Sequence, residues 1–319
     1  MLDGRYAVED WTAQKMSQLP FEKPGQFFRG NIHTHSDYSD GEVSLDEAVA
    51  TYQRNGYDFV AITDHFLPQF DFPVVNTRTF RSTDFTTLLG AELHAPSLEN
   101  GEYWHILAVG LPLDFAANTE SETGPTLAAR AAETGAFVGI AHPAWYGLTV
   151  NDMNSIESAH AVEVFNQGCA ADSDRGESWH LTDLALTNGH RLNAFAADDA
   201  HFRASHPDVM GGWTMVKSEE LDPDALLESL KTGQFYSSQG PLLHDIAFNS
   251  DRSEVEIRTS PVKSMMLIGP KSRYLATHGA GLTEHRFPLE KFPDGYVRVT
   301  VIDESGKRAW SNPIWLDSL

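Results

Sequence analysis

The 319-residue chain contains 14 histidines, and several fall at spacings that could hold metal ions. His33-x-His35 and Asp199-x-His201 each place two donors on alternate positions. On extended backbone alternate side chains face one side, so both members of a pair can reach one ion. Between the pairs stand Asp40, Thr63-Asp64-His65, Glu92, His105 and His142-Pro143. Imidazole nitrogens and carboxylate oxygens suit Zn, Mn or Fe, and the lack of thiolates argues against a soft-metal site. A carboxylate such as Glu92 could bridge two ions, and water between ions about 3.5–4 Å apart becomes hydroxide near neutral pH. One histidine at a strand end is ordinarily a hydrogen-bonded structural residue; packing does not explain the full set. His94, His160, His180, His190, His244, His278 and His285 do not match the pattern and are read as ordinary structural or surface residues.

These donors need elements that carry them to one place. Phe28–His33 reads as a strand. Ser44-Leu45-Asp46-Glu47 reads as a capping box opening a helix. Leu45, Ala48, Val49 and Tyr52 give that helix an apolar face, and Gly56 supplies its stop. Asp58–Thr63 is a short apolar strand, completing a strand–helix–strand unit of the kind that builds parallel sheets. Further strands are expected over 87–92, 103–109, 137–141, 161–165, 192–197 and 213–216. Helices are expected over 126–134, 179–187 and 223–231, the last capped by Asp222. In this reading nearly every strand delivers an imidazole or carboxylate near its end. Strand C-termini of parallel α/β folds converge on one rim, where sites are built. From Gly240-Pro241 onward the helical pattern disappears. Short strands over 255–258, 264–268, 296–302 and 309–316 suggest a β appendix. The expected organisation is an arm over 1–27, an α/β unit over 28–240 and a small β-rich domain over 241–319.

Composition limits the partners. The chain carries 23 basic and 45 acidic residues, a formal charge of −22. That field opposes long nucleic acid and anionic lipid, while a local cationic site could still hold a small anion. Cys169 is the single cysteine, which excludes an internal disulfide and a cysteine-cluster zinc site. With 41% hydrophobic and 21% charged residues the composition is that of a globular protein. No apolar run approaches the ~18 residues that span a bilayer. The first residues lack a basic segment followed by an apolar core, so no secretory leader and a cytoplasmic location are expected.

Taken in order, His33-Thr34-His35-Ser36-Asp37-Tyr38-Ser39-Asp40-Gly41, Thr63-Asp64-His65, Glu92, His105, His142-Pro143 and Asp199-x-His201 resemble the polymerase and histidinol phosphatase (PHP) superfamily over about residues 28–240. The resemblance implies a distorted (β/α)7 TIM-like barrel with a trinuclear metal site on its rim, here followed by the small all-β domain. It implies a first ion on His33, His35, Glu92 and Asp199, and a second on Glu92, His105 and His142. A third would sit on Asp40, His65 and His201. His94 competes with His105, but His105-Ile106-Leu107-Ala108-Val109-Gly110 is more similar to the family's strand. Gly233-x-Phe235-Tyr236-x-Ser238-x-Gly240-Pro241, with Trp310-Ser311-Asn312-Pro313-Ile314, resembles the carbaryl-hydrolase-like branch.

The expected activity is that of a metal-dependent phosphoesterase with two to three divalent ions, Zn, Mn or Fe, as cofactors. A hydroxide bridging the ions would attack phosphorus, with Asp40, Glu92 and Asp199 at the reacting centre. Arg130, Arg203 and His206 are candidates for contacts to the phosphate or leaving group. Glu163 and Asn166 would either orient ligand imidazoles or simply bond within their strand end. A second expectation keeps the ions and replaces the phosphate ester by a carbamate, ester or amide, with Trp104, Trp145, Tyr146 and Trp179 as candidate pocket walls. A third is a non-catalytic, metal-stabilised binding module. The appendix is read as a cap, a brace for the C-terminus or a contact that builds a homo-oligomer. The expected partner is a small phosphate-ester anion, with neither membrane nor long nucleic acid.

Overall fold

A computed structural model describes residues 19–205 and 207–319. Most of the expected arm, residues 1–18, and the candidate His206 therefore lie outside the described residues. Leu19 is buried in the C-terminal core, and the first strand, β1 (Gln26–Asn31), opens before the end of that arm.

Short apolar runs make the central strands: β2 (Phe59–Ile62), β3 (His65–Phe66), β4 (Thr86–Ala95), β5 (Trp104–Val109), β6 (Phe137–Ile140), β7 (Ala161–Asn166) and β8 (Asn193–Ala197). Their hydrogen-bonded order is β1-β2-β4-β5-β6-β7-β8, with β3 beside β4. The two ends of this path meet, because Thr34 forms a parallel bridge with Ala200 just past β8. Asp199 N–H donates to His33 O at 2.9 Å, and His35 N–H donates to Ala200 O at 2.9 Å. The expected alternation of parallel strands is corrected at β5, which runs antiparallel to both β4 and β6. β4 also continues three residues beyond Glu92, which had been expected to close it.

Helices cover the outside where their apolar faces allow. In α1 (Leu45–Arg54), Leu45, Ala48, Val49 and Tyr52 are buried, and the Ser44 side chain caps the start by accepting from Glu47 N–H. The expected capping box is only half formed, since the Glu47 carboxylate turns to Arg54 and Thr51 instead. The other helices are α2 (Gly124–Glu133), α3 (Pro143–Tyr146), α4 (Val150–Ser155), α5 (Gln167–Ser173), α6 (Trp179–Thr187) and α7 (Pro223–Lys231), the last capped by Asp222. The strands share an apolar plug that includes Ile32, Phe59, Leu88, Leu107, Phe137 and Phe195. Gly30 is required by this plug, since a Cβ there would meet the Phe59 ring at 2.0 Å. No helix among the described residues is long and apolar enough to cross a membrane.

The C-terminal part differs from its expected form. β9 (Trp213–Ser218) pairs with β1 on one side and β10 (Phe235–Ser238) on the other. β11 (Leu243–Phe248), β12 (Glu254–Ile268), β13 (Tyr274–Pro288), β14 (Tyr296–Ile302), β15 (Arg308–Ser311) and β16 (Ile314–Trp315) follow. Because β15 pairs with β10, these strands continue the same 16-stranded sheet rather than starting a separate one. The expected strands 255–258 and 264–268 are one bent 15-residue strand, β12, which pairs with an unexpected 15-residue partner, β13. The expected strand 309–316 is broken at Asn312-Pro313, because proline offers no N–H to a sheet ladder. The region keeps its own apolar core, with Ile257, Met265, Val299 and Val301 fully buried.

Candidate metal centre

The rim is assembled by strand direction. His33 and His35 follow the end of β1, His65 follows β2, His142 follows β6, and Asp199 and His201 follow β8. Glu92 lies near the end of β4. β5 runs the other way, so it reaches the same rim with its beginning, where His105 stands. Two of these residues occupy positive φ without being glycine: His142 at 24° and Asp199 at 54°. Such backbone costs of order 1–3 kcal/mol each and persists only when the surroundings impose it.

Glu92 is the hub. It is fully buried. Its Oε1 lies 2.7 Å from His105 Nδ1, 3.1 Å from His142 Nε2 and 3.7 Å from His33 Nε2. Its Oε2 lies 2.7 Å from His65 Nδ1 and 3.6 Å from His35 Nε2. Asp199 Oδ1 lies 2.9 Å from His35 Nε2 and 3.3 Å from His33 Nε2. Asp40, more exposed, holds Oδ1 3.3 Å from both His65 Nε2 and His201 Nε2. The structure thus brings together His33, His35, Asp40, His65, Glu92, His105, His142, Asp199 and His201. Their donor atoms fall into overlapping groups, each within 4.8 Å of one another: His35, Asp40, His65 and His201; His33, His35 and Glu92; His33, His142 and Asp199; Glu92, His105 and His142; and His65 and Glu92 together with His94.

Around the donors stands a ring of orienting groups. Glu163 lies with Oε1 3.1 Å from His33 Nδ1, and its Oε2 accepts from His142 N–H at 2.8 Å. Asn166 Nδ2 donates to both Glu163 Oε2 and Asp199 Oδ2, at 3.0 and 3.1 Å. His201 Nδ1 is 3.0 Å from Asp199 O, which turns Nε2 toward Asp40. Asp64 is not among the donors; it accepts from Ser36 N–H, Ser36 Oγ and Ser39 Oγ and so fixes the loop carrying Asp40. Asp198 accepts from Tyr52 Oη and from the N–H groups of Met210, Gly211 and Gly212. Burial, only partly offset by those bonds, raises its pKa to about 6.

Charge and burial set the electrostatics. Burial alone would raise Glu92, but the imidazoles of His105, His65 and His33 outweigh it and hold the carboxyl well below its ordinary range. Burial and the neighbouring His201 and His65 push His35 down to about 3. In His201 burial is outweighed by Asp40 and Asp199, which lift it to about 9.

The donor set fits divalent cations. His33 Nε2 and Glu92 Oε2 are buried and have no hydrogen-bond partner. A buried polar atom left so costs about 1–3 kcal/mol, and a cation is what nitrogen and carboxylate lone pairs facing one another can share. The donors open into a cavity of about 190 Å³ whose wall also includes Trp145, Cys169, Asp172, Arg203 and Asp208. Asp40, Glu92, Asp172, Asp199 and Asp208 face the single arginine there, so an anion would enter only with cations in place. A larger hollow of about 620 Å³, between Leu19, Thr232–Phe235 and Asn312–Trp315, has no comparable donor set.

Other expected residues are placed differently. Arg130 is corrected: it sits on α2, bonds both Glu122 oxygens and Ala116 O, and does not line the cavity. Arg203 does line it, with Nη1 donating to Asp172 at 2.9 Å. Of the aromatic candidates Trp145 forms cavity wall, 39% exposed and edge-on to His105 and His142. Trp104 is buried against Gly124, Tyr146 lies beneath His105, and Trp179 is covered by Arg298. His94, set aside in the sequence, is a correction in the other direction. It is buried in the cluster, 2.9 Å from His65. Glu92-x-His94 is the same alternation as His33-x-His35, and that spacing was the available signal.

Comparison with known proteins gives a family likeness for part of the chain and a likeness of fold. Residues 31–162 match the PHP domain family model. No curated protein matches the chain. Among solved structures, a two-domain protein from Bacteroides vulgatus containing a predicted PHP-like metal-dependent phosphoesterase is 15% identical, with a TM-score of 0.51 over 91% of this chain and 97% of that one. An inferred metal-dependent phosphoesterase from Bifidobacterium adolescentis is 17% identical, covering 64% of this chain and 96% of its own, with a TM-score of 0.43. The Bacteroides likeness is one of fold, spanning both the rim and the C-terminal strands. Asp199 and His201 lie beyond the matched segment and reach it through the β1–β8 contact. The likeness to the PHP domain family is confined to residues 31–162.

Proposed function

We propose that the protein is a metal-dependent phosphoesterase acting on a small phosphorylated molecule. The observation that carries this reading is Glu92, a buried carboxylate with histidines against both oxygens and one oxygen left without a hydrogen bond. In this reading residues 28–240 are a distorted (β/α)7 barrel and residues 241–319 an added β-rich domain. His33, His35, Glu92 and Asp199 would hold one cation, Glu92, His105 and His142 a second, and Asp40, His65 and His201 a third. Zn, Mn and Fe all accept this nitrogen and oxygen set. Bound divalent ions supply Lewis-acid charge to an electrophile's oxygens and lower the pKa of water.

The chain's own residues do the rest. Glu163 and Asn166 keep His33 and Asp199 turned inward. Arg203 exchanges Asp172 for a phosphoryl oxygen at the cavity wall, and Trp145 bounds the leaving-group side. His206 completes the proposal as a leaving-group contact. One observation favours a second reading, hydrolysis of a carbamate or carboxylic ester as in the carbaryl-hydrolase-like branch. The cavity wall has an exposed tryptophan, and its arginine is already paired. Assay of the cation-loaded protein on an aryl phosphate and an aryl carbamate separates the two. Turnover of the phosphate supports the proposal, turnover of the carbamate alone favours the second reading, and turnover of neither favours a binding module.

A further inference from the structure

Glu92 and His94 alternate on β4, so His94 enters the cluster beside the hub. It is 4% exposed. Its ring centre lies 4.9 Å from that of His65 and 4.3 Å, edge-on, from that of His105. Its Nε2 stands 2.9 Å from His65 Nδ1 in hydrogen-bonding alignment. Two neutral imidazoles in that arrangement share one proton: one nitrogen donates it and the other accepts. On the far side of the His65 ring, Nε2 faces Asp40 Oδ1 at 3.3 Å.

A second acceptor competes for the same proton. Glu92 Oε2 is nearer to His65 Nδ1, at 2.7 Å. Yet Glu92 Oε2 forms no hydrogen bond. The His65–His94 pair meets the alignment of a hydrogen bond, and the His65–Glu92 Oε2 pair does not. Distance favours the carboxylate, but direction favours the imidazole, and hydrogen bonds weaken steeply with misalignment.

We propose that His94 is a positioning residue for His65. Its Nε2 accepts the Nδ1 proton of His65, which fixes the tautomer whose Nε2 lone pair is turned toward Asp40 and His201. The same bond leaves Glu92 Oε2 unencumbered for a cation. Outer partners that fix a ligating imidazole in this way are ordinarily carboxylates or backbone carbonyls; here a second histidine takes that place. The inference rests on the metal-centre reading given under Proposed function.

The test uses the full chain, Zn²⁺ as the probe and two variants. His94→Leu removes the acceptor, and His94→Gln returns a carbonyl oxygen near the position of Nε2. Circular dichroism verifies that each is folded. Calorimetric titration should show wild type taking its full complement of Zn²⁺. His94→Leu should bind one equivalent about 10–100-fold more weakly, the range for losing an outer partner, and His94→Gln should recover most of that loss. Long-range ¹H–¹⁵N spectra of the Zn²⁺-loaded protein should show His65 protonated on Nδ1 in wild type and His94→Gln. Unchanged Zn²⁺ binding by His94→Leu, equal impairment of both variants, or a His65 protonated on Nε2 overturns the role of His94 alone. A wild-type protein that takes up no Zn²⁺ overturns the metal-centre reading and this inference with it.

Discussion

Two regions of the molecule bury charge, and they do so in opposite ways. Where the C-terminal strands meet the helices, Arg298 donates to both oxygens of Asp183 and to Thr300 Oγ1, and its guanidinium covers the Trp179 ring. Tyr296 Oη donates to the same carboxylate. Both oxygens of Asp183 are bonded. On the rim, carboxylates crowd against imidazoles, yet His33 Nε2 and Glu92 Oε2 lack partners. A satisfied buried pair is a structural joint, whereas facing donors with spare lone pairs need a further group. Stability alone would have selected the first arrangement in both places.

This contrast can be broken by substitution. Glu92→Gln should have the largest effect, because it disturbs several donors at once. Turnover should fall by more than about 100-fold, beyond the range for outer partners, with loss of bound cation measured by elemental analysis. Asp199→Asn should follow, with a smaller cation loss, because Asp199 belongs to one position rather than two. The joint should answer on the other axis. Arg298→Met should lower folding stability by about 2–3 kcal/mol in chemical denaturation, below the fully buried range because Asp183 keeps some solvent contact. Its cation content should not change.

Smaller effects sharpen the comparison. Arg203→Met should raise KM for a phosphate ester by about tenfold, the cost of one charge-assisted contact, while leaving cation content and kcat near wild type. An equal change for a neutral carbamate would remove Arg203 from phosphate recognition. The rim should also respond to pH. His201 is lifted to about 9 by Asp40 and Asp199, so near neutrality it holds a proton that a cation must displace. Affinity should therefore rise as pH climbs toward 9, with proton release visible as buffer-dependent heat.

The rim was legible because its signal is local. Alternation in His33-x-His35 and Asp199-x-His201, and donors at the ends of apolar runs, follow directly from strand geometry. Two things escaped that logic. The reversed direction of β5 is a tertiary choice, and it explains why His105 stands at a strand's beginning. His94 ranks below His105 in the sequence because the His105 segment is more similar to the family's strand, whereas pairing with β5 carries β4 on to Ala95 and His94 into the cluster. Arg130 was misplaced for a similar reason: its sequence does not reveal Glu122, which holds it elsewhere. The long β12–β13 hairpin was invisible because β13 is largely exposed and gives no apolar alternation to read.

The most direct test of the account is the cation content of the purified protein after saturation with Zn²⁺ or Mn²⁺ and removal of free metal. Two to three equivalents are expected per wild-type chain, with a marked loss in Glu92→Gln. A wild-type chain that retains none, or a Glu92→Gln chain that retains as many, would contradict it.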